Sequence, residues 1–169
     1  METICKIEIY KKGDFLHKPN QICLHTYFIN NGLVRIYYLK DGKEITDNFS
    51  AENEWITSIY SFLQNIPDHF HIQTLEETEL MKISLEDLES CFKDFPEMER
   101  FGRMLISKYF LEQSERIISL QFNSASERYQ YFERTSKNKL PRVPLGMLAS
   151  HLGMTQETLS RVRSAKHII

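Results

Sequence analysis

Hydrogen-bonding side chains cluster near the end of the chain, where Gln156, Glu157 and Arg161 stand close together. Glu157 and Arg161 are at i and i+4, so a helix places them on one face. Arginine can donate two hydrogen bonds to guanine, glutamate accepts from cytosine, and glutamine suits adenine. If this helix lies in a major groove, these side chains are the ones nearest the base edges of duplex DNA. Its candidate DNA-binding residues are Gln156, Glu157, Thr158, Ser160, Arg161 and Arg163.

Two short helices joined by a tight turn would hold this surface. Pro144 suits the first position of a helix, and Gly153 suits a left-handed cap after it. Thr155 can cap the second helix. The apolar positions that would join the two helices recur at helical spacing and are Leu145, Leu148, Ala149, Leu152, Leu159 and Val162. This pattern predicts a helix-turn-helix, whose second helix enters the major groove. The alternative is an ordinary helical hairpin in a core.

Charge is distributed unevenly along a chain whose formal net charge is −2. Six of the 21 Lys and Arg residues lie in 136–169, where Glu157 is the one acidic residue. The rest of the chain carries an excess of acidic side chains. This distribution favours binding of a polyanion by the C-terminal part.

Composition and motifs exclude several other classes. The three cysteines are far apart and form no CxxC motif, so neither a disulfide framework nor a zinc ribbon is expected, and the cytoplasm is the expected location. No apolar run approaches the ~20 residues of a membrane span, so no membrane association is expected. Because no nucleophile elbow, P-loop or HExxH is present, we predict no catalytic site, metal or cofactor.

Upstream, residues 5 to 84 carry the signals of short strands. Cys5, Ile7 and Ile9 alternate with polar residues, which predicts a half-buried strand. Asn30-Asn31-Gly32 predicts one hairpin and Lys40-Asp41-Gly42-Lys43 a second. Close strands and turns of this kind predict a small antiparallel barrel or sandwich. Further strands are expected over 70–75 and 79–83. One short helix is expected in the excursion 51–69, from the helical spacing of Ile56, Ile59, Tyr60, Phe62 and Leu63.

Helices are predicted after Ser84. Ser84 and Asp87 can cap a helix that runs to about Phe92, and Ser124 with Glu127 forms a capping box for another that runs to about Arg134. Between them, Glu97 to Phe122 contains no proline and predicts one long helix. Leu105, Tyr109 and Ile117 offer a face for the barrel. A second apolar seam on three–four spacing predicts a homodimer interface, made of Phe101, Met104, Leu111 and Ile118 and continued by Phe122.

A barrel, a long helix and a helix-turn-helix, in that order, resemble the cyclic-AMP receptor / fumarate-nitrate regulator (CRP/FNR) superfamily of bacterial transcription regulators. The most specific segments are residues 31–37, 41–44 and 156–161. The resemblance implies an α+β fold with an N-terminal jelly-roll barrel like cyclic-nucleotide-binding domains (1–95), a dimerisation helix (96–123) and a DNA-binding domain (124–169). It also implies a homodimer that binds a palindromic promoter site and contacts RNA polymerase.

The effector pocket departs from the family pattern. Nucleotide binders of the family carry a Gly-Glu pair early in the excursion and an Arg-Ser pair at its end. Here Thr57-Ser58 aligns with the first pair and Asp68-His69 with the second. An aspartate repels a cyclic phosphate. The resemblance therefore implies a degenerate effector pocket that does not bind cyclic AMP, and the small-molecule effector, if there is one, is unknown.

Three scattered cysteines cannot supply the four ligands of the family's iron–sulfur branch. His69 and His71 fall at i and i+2, where a solvated or hydrogen-bonded pair is expected rather than a metal or haem site. The chain starts within the family's first strands and ends soon after Arg161, so the leading helix is expected to be short or absent and no wing is expected. Two functions stay open: a DNA-binding regulator, or a small-molecule-sensing module with weak or no DNA binding.

Overall fold

The computed structural model describes residues 6–166 and consists of a β-sandwich followed by helices. Two four-stranded antiparallel sheets face each other, with strand orders β1-β8-β3-β6 and β2-β7-β4-β5. Ile29, Ile36, Ile72 and Leu80 are buried together between them. The strands are β1 (Lys6–Tyr10), β2 (Phe15–His17), β3 (His25–Asn31), β4 (Val34–Lys40), β5 (Lys43–Ser50), β6 (Trp55–Ile56), β7 (Phe70–Thr74) and β8 (Thr78–Ser84).

The turn at Asn30-Asn31-Gly32 does not form the predicted hairpin. β3 pairs with β6 and β8, whereas β4 pairs with β5 and β7, so this turn carries the chain from one sheet to the other. Gly32 has φ +120°, and a Cβ there would lie 2.8 Å from the Cα of Thr78. Glycine is therefore required at this crossing for both its conformation and its size. The second predicted hairpin is confirmed, because β4 and β5 pair through Asp41-Gly42, both at positive φ.

The first strand is present with its apolar side chains on the opposite face from the one predicted. Ile7 and Ile9 are exposed, while Glu8 and Tyr10 are half-buried. Glu8 accepts a hydrogen bond from Tyr10 and pairs with Lys82 on the neighbouring strand β8, which holds the polar face inward. Cys5, which was predicted to start this strand, lies outside the described residues.

The helices largely follow the predicted boundaries. Ser84 accepts a hydrogen bond from the Asp87 N–H, and Ser124 forms a capping box with Glu127, as predicted. Ile56 was predicted to lie on the short helix of the excursion, but it belongs to β6, because it pairs with Tyr27. The helices are α1 (Ile59–Gln64), α2 (Leu85–Asp94), α3 (Pro96–Phe122), α4 (Ala125–Thr135), α5 (Leu145–His151) and α6 (Gln156–Lys166).

The three C-terminal helices form a second core against the outside of the β2-β7-β4-β5 sheet. Phe49 of β5 and Leu33 are buried there with Phe132, Leu148 and Leu159 from α4, α5 and α6. The long helix α3 joins the sandwich through Tyr109, whose hydroxyl accepts from the Trp55 N–H at 2.8 Å. None of the helices in residues 6–166 is long and apolar enough to cross a membrane.

Candidate nucleic-acid interface and effector pocket

The turn between α5 and α6 follows from its residues. Gly153 adopts the left-handed conformation (φ +63°), and Thr155 Oγ1 accepts from the Thr158 N–H at 3.1 Å to start α6. Pro144 was predicted to occupy the first position of α5. It lies one residue earlier instead, as the N-cap, with ψ 140°. Leu148 and Leu159 are buried between the two helices. The local chemistry therefore fixes the angle at which α6 leaves the protein.

The outward side of α6 presents polar side chains to solvent. Gln156, Glu157 and Arg161 are exposed, and none of them has a hydrogen-bond or ion-pair partner in the described part of the chain. Ser160 is exposed too, and so is Arg163, which was expected to lie nearer the packed side. Thr158 differs from the other candidates, because it is half-buried and its hydroxyl contacts that of Thr155.

The four candidate pocket residues lie in two pairs, one within the excursion and one at its end, and a residue of each pair contacts the other. The Ser58 hydroxyl donates a hydrogen bond to Asp68 Oδ2. The other carboxylate oxygen accepts from the Phe70 N–H and contacts His17 Nε2, both at 2.9 Å. Thr57 instead donates to the His25 carbonyl at 3.0 Å, and His69 is exposed, stacked on Phe70.

Asp68 is an internal group rather than part of an open phosphate site. Its side chain is 5% exposed, so its charge is stabilised mainly by the three donors around it. Burial by itself would raise the pKa of Asp68, but the hydrogen bonds from Ser58 and His17 outweigh it and lower the pKa below its ordinary value. His17, a partner that the sequence reading missed, is distant in sequence and carried no motif.

The histidines of β7 and its flank serve in aromatic contacts. His71 stacks on Tyr37 with ring centroids 4.6 Å apart, and His69 packs edge-on against Tyr38. In the part of the chain that the structure describes, no group of three or more His, Cys, Asp or Glu is arranged to hold a metal ion.

The predicted dimer seam on α3 is exposed along its length. Phe101, Met104, Leu111 and Ile118 are each about half or more exposed, which leaves in a single chain an apolar stripe interrupted by the exposed Lys108 and Glu115. Ile117 was predicted to face the barrel, but it is 54% exposed. Arg116, its neighbour, faces the sandwich instead. The helix therefore carries a second exposed stripe, which the sequence reading missed: Ile106, Phe110 and Ile117.

A polar junction, also missed, joins α3, β5 and α5. Arg116 of α3 donates to the carbonyls of Thr46 and His151, at 3.1 and 3.3 Å. The His151 ring packs against Phe49 and Phe132, and its Nδ1 contacts the Asp47 carbonyl at 3.0 Å. Burial, reinforced by the Arg116 charge, lowers the pKa of His151 to about 3. The ring is therefore neutral at physiological pH, and Nδ1 carries the proton.

Basic residues before α5 pair with carboxylates of the sandwich. Arg142 makes a two-pronged hydrogen bond to Glu52, with N–O distances of 2.8 and 2.9 Å, and also pairs with Glu76. Lys139 pairs with Glu54 at 2.6 Å and donates to the Phe49 carbonyl. These contacts dock the C-terminal helices on the sandwich.

Comparison with known proteins identifies the class of the sandwich. Residues 7–95 match the family model of the cyclic nucleotide-binding domain, which is more than half of the chain. The chain therefore belongs to the cyclic nucleotide-binding domain family. No curated protein sequence matches the chain significantly.

Solved structures share the fold over nearly the whole chain. FixK2 from Bradyrhizobium japonicum superposes with a TM-score of 0.83 at 16% identity, covering 98% of this chain and 86% of that one. The c-di-GMP-responsive global regulator CLP of Xanthomonas campestris superposes with a TM-score of 0.74 at 19% identity, covering 98% of this chain and 87% of that one. A protein from Eubacterium rectale, described as a transcriptional regulator of the crp/fnr family, superposes with a TM-score of 0.72 at 20% identity, covering 97% of this chain and 79% of that one.

Proposed function

We propose that this chain is a homodimeric, sequence-specific DNA-binding transcription regulator whose α5–turn–α6 unit is a helix-turn-helix. The observation that carries the proposal is the outward face of α6, where Gln156, Glu157 and Arg161 are exposed without internal partners. Side chains held in this way on a capped helix can enter a major groove and meet base edges. Ser160, Thr158 and Arg163 complete the surface.

The rest of the chain fits the same proposal. Residues 1–95 form the effector domain, 96–123 the dimerisation helix and 124–169 the DNA-binding domain. The exposed seam Phe101, Met104, Leu111 and Ile118 supports pairing of α3 with the same helix of a second chain. RNA polymerase is the partner expected of a promoter-bound regulator, and the cytoplasm is the expected location. The described relatives are named as regulators rather than enzymes, which supports a non-enzymatic role.

The effector domain is proposed to have lost cyclic AMP binding. The place that the alignment gives to the phosphate arginine holds Asp68, whose carboxylate is buried under its own donors. A phosphate there would meet an ionised carboxylate in a poorly hydrated setting, which costs several kcal/mol. An effector of another class, apolar or cationic, would bind near Thr57, Ser58, Asp68 and His69 only by displacing the donors that cover Asp68.

Selection of bound sequences from a random duplex pool tests the proposal. We expect an inverted repeat with half-site centres about 34 Å apart, because two symmetry-related helices enter successive major grooves. Each half should contain a G·C pair read by Glu157 and Arg161, with an adenine preference near Gln156. If the full chain enriches no sequence and shows no salt-dependent retention on duplex DNA, it is a sensing module rather than a DNA-binding regulator.

A further inference from the structure

The acidic sandwich and the basic C-terminal part meet at one end of the molecule. Three turns converge there, around Gly32, Glu52 and Glu76, and Arg142 reaches them from the segment before α5. Glu52 receives the forked pair of hydrogen bonds, and Glu76 receives bonds from Nε and Nη2 of the same guanidinium. Two carboxylates therefore share one arginine. We name the set of Arg142, Glu52 and Glu76 the carboxylate latch.

Arg142 and Glu52 of the latch stay charged over the physiological range. Hydrogen bonding to Arg142 lowers the pKa of Glu52 to about 2, and pairing with Glu52 and Glu76 raises the pKa of Arg142. All three side chains remain partly exposed, so solvent and salt screen the attraction between them. The pair of Arg142 and Glu52 can therefore be opened by a competing anion but is insensitive to pH near neutrality.

A DNA phosphate is such a competitor, because its two anionic oxygens can accept a two-pronged hydrogen bond from a guanidinium, as a carboxylate does. Lys139 is engaged in a similar way by Glu54. Two of the basic residues that distinguish the C-terminal part are thus occupied by the protein's own carboxylates, whereas Arg161 and Arg163 are exposed.

We propose that Glu52 and Glu76 act as an internal substitute for DNA phosphates that withholds Arg142 from DNA while the C-terminal helices are docked on the sandwich. The inference rests on the proposed DNA-binding function and adds an autoinhibitory contact to it. When the latch opens, the chain gains a phosphate-binding cation. DNA binding and docking of the helices on the effector domain then compete for the same guanidinium.

The test compares the salt dependence of binding to a fluorescent duplex of arbitrary sequence, using the full chain. The variant E52Q/E76Q releases Arg142, and glutamine at 52 retains an oxygen for the Gly32 N–H. E77Q/E89Q is the matched control, because it removes two exposed carboxylates that have no ion pair among the described residues. Both variants change the net charge equally, so a difference between them reports on Arg142.

We expect E52Q/E76Q to bind several-fold more tightly than the control at about 50 mM salt. Its slope of log K against log salt should be steeper by about 0.9, so the advantage falls about threefold by 200 mM. Adding R142Q should abolish the advantage. Equal binding by E52Q/E76Q and E77Q/E89Q would overturn the proposal.

Substitution of single basic residues in the wild-type chain gives a second test, which does not depend on whether the E52Q/E76Q variant folds. R142Q should leave the salt slope unchanged, whereas R163Q, which removes an exposed cation of α6, should reduce it by about one. If R142Q reduces the slope as much as R163Q does, Arg142 already contacts DNA and the latch proposal is wrong. If no variant and no wild-type chain shows salt-dependent binding, the proposed DNA-binding function fails as well.

Discussion

The effector pocket and the outer face of α6 both carry charged side chains, but only the pocket carboxylate is satisfied by internal partners. Asp68 is buried and accepts from Ser58 and the Phe70 N–H, with His17 beside it. Arg161 on α6 is exposed and has no partner within the described residues. A polar group that is already satisfied gains little from a ligand, whereas an unsatisfied one on a rigid helix is available to bind. The comparison supports the proposal that this chain binds its ligand through α6.

The exposed apolar side chains of α3 are a third set of groups without partners in the single chain. Substitutions there are expected to have the largest effect. Changing Leu111 and Ile118 together to Lys should give monomers, because each side chain contributes roughly 1.5–3 kcal/mol when fully buried and lysine adds like charges. The dimer dissociation constant should rise by more than about a hundredfold, and DNA binding should be lost with it. Sedimentation velocity measures the change.

The second stripe supplies the control for this experiment. F110K/I117K places the same charges on the other exposed face of α3 and should leave the dimer intact. If L111K/I118K sediments as a dimer while F110K/I117K is monomeric, the second stripe is the interface and the predicted seam is wrong.

Removing the charge of Asp68 tests the pocket side of the comparison. D68N leaves the donors from Ser58, His17 and Phe70 without an anionic acceptor, which should lower the free energy of unfolding by roughly 1–3 kcal/mol. D94N, at an exposed residue of α2, should change it little. Thermal denaturation measures both. Calorimetric titration of the wild type with millimolar cyclic AMP or cyclic GMP should give no saturable heat, and micromolar affinity would show that the pocket is open.

Substitution of Arg161 tests the proposed role of the outer face of α6. R161A should cost roughly 1–3 kcal/mol on the selected site and should relax the preference at one base pair. R163A should weaken binding evenly across sequences, because a phosphate contact carries no base information. Fluorescence anisotropy with matched and single-base-changed duplexes distinguishes the two. Unchanged preference at every position in R161A would show that α6 does not read the bases.

The smallest effect concerns His151, a polar group that is satisfied inside the docked C-terminal core. Its pKa is lowered to about 3 in the folded protein, so the unfolded chain binds a proton near pH 6.5 that the folded chain does not. Stability should therefore fall as the pH decreases below about 6.5 towards 3. The charges of Arg116 and Lys139 lie near the ring and oppose its protonation. The groups that raise the pKa of His151 are backbone groups of Asp47 and Thr46, not ionised carboxylates.

H151N retains a donor for the Asp47 carbonyl but does not titrate. Between pH 7.5 and pH 5, the wild type should lose about 1–2 kcal/mol more than H151N does. Denaturant unfolding at both pH values measures the difference. Equal losses would mean that the ring is protonated within the folded core.

The sequence predicted those features that are set by interactions between neighbouring residues. The cap of Thr155 and the left-handed Gly153 act within a few residues, so the helix pair and its outward face followed from the sequence. The turn at Gly32 was misread as a hairpin, because positive φ is required equally by a hairpin and by a crossing between sheets. The deciding contact, with Thr78, is remote.

The same reason explains why the polar clusters were missed. Asp68 meets His17 across 51 residues, and Arg142 meets Glu52 across 90. No spacing rule connects residues that distant. Ile117 was misassigned because α3 is apolar on more than one side, so periodicity by itself does not say which stripe faces the sandwich.

The contact between Trp55 and Tyr109 gives the molecule an intrinsic optical probe. Trp55 is the single tryptophan of the chain, and its backbone N–H and carbonyl both bond to the Tyr109 hydroxyl where the sandwich meets α3. Its emission therefore arises from one known place, 5.2 Å from the Phe28 ring. A shift of α3 against the sandwich, on dimerisation or effector binding, changes the polarity and quenching around that indole. The transition can be followed in real time on unlabelled protein.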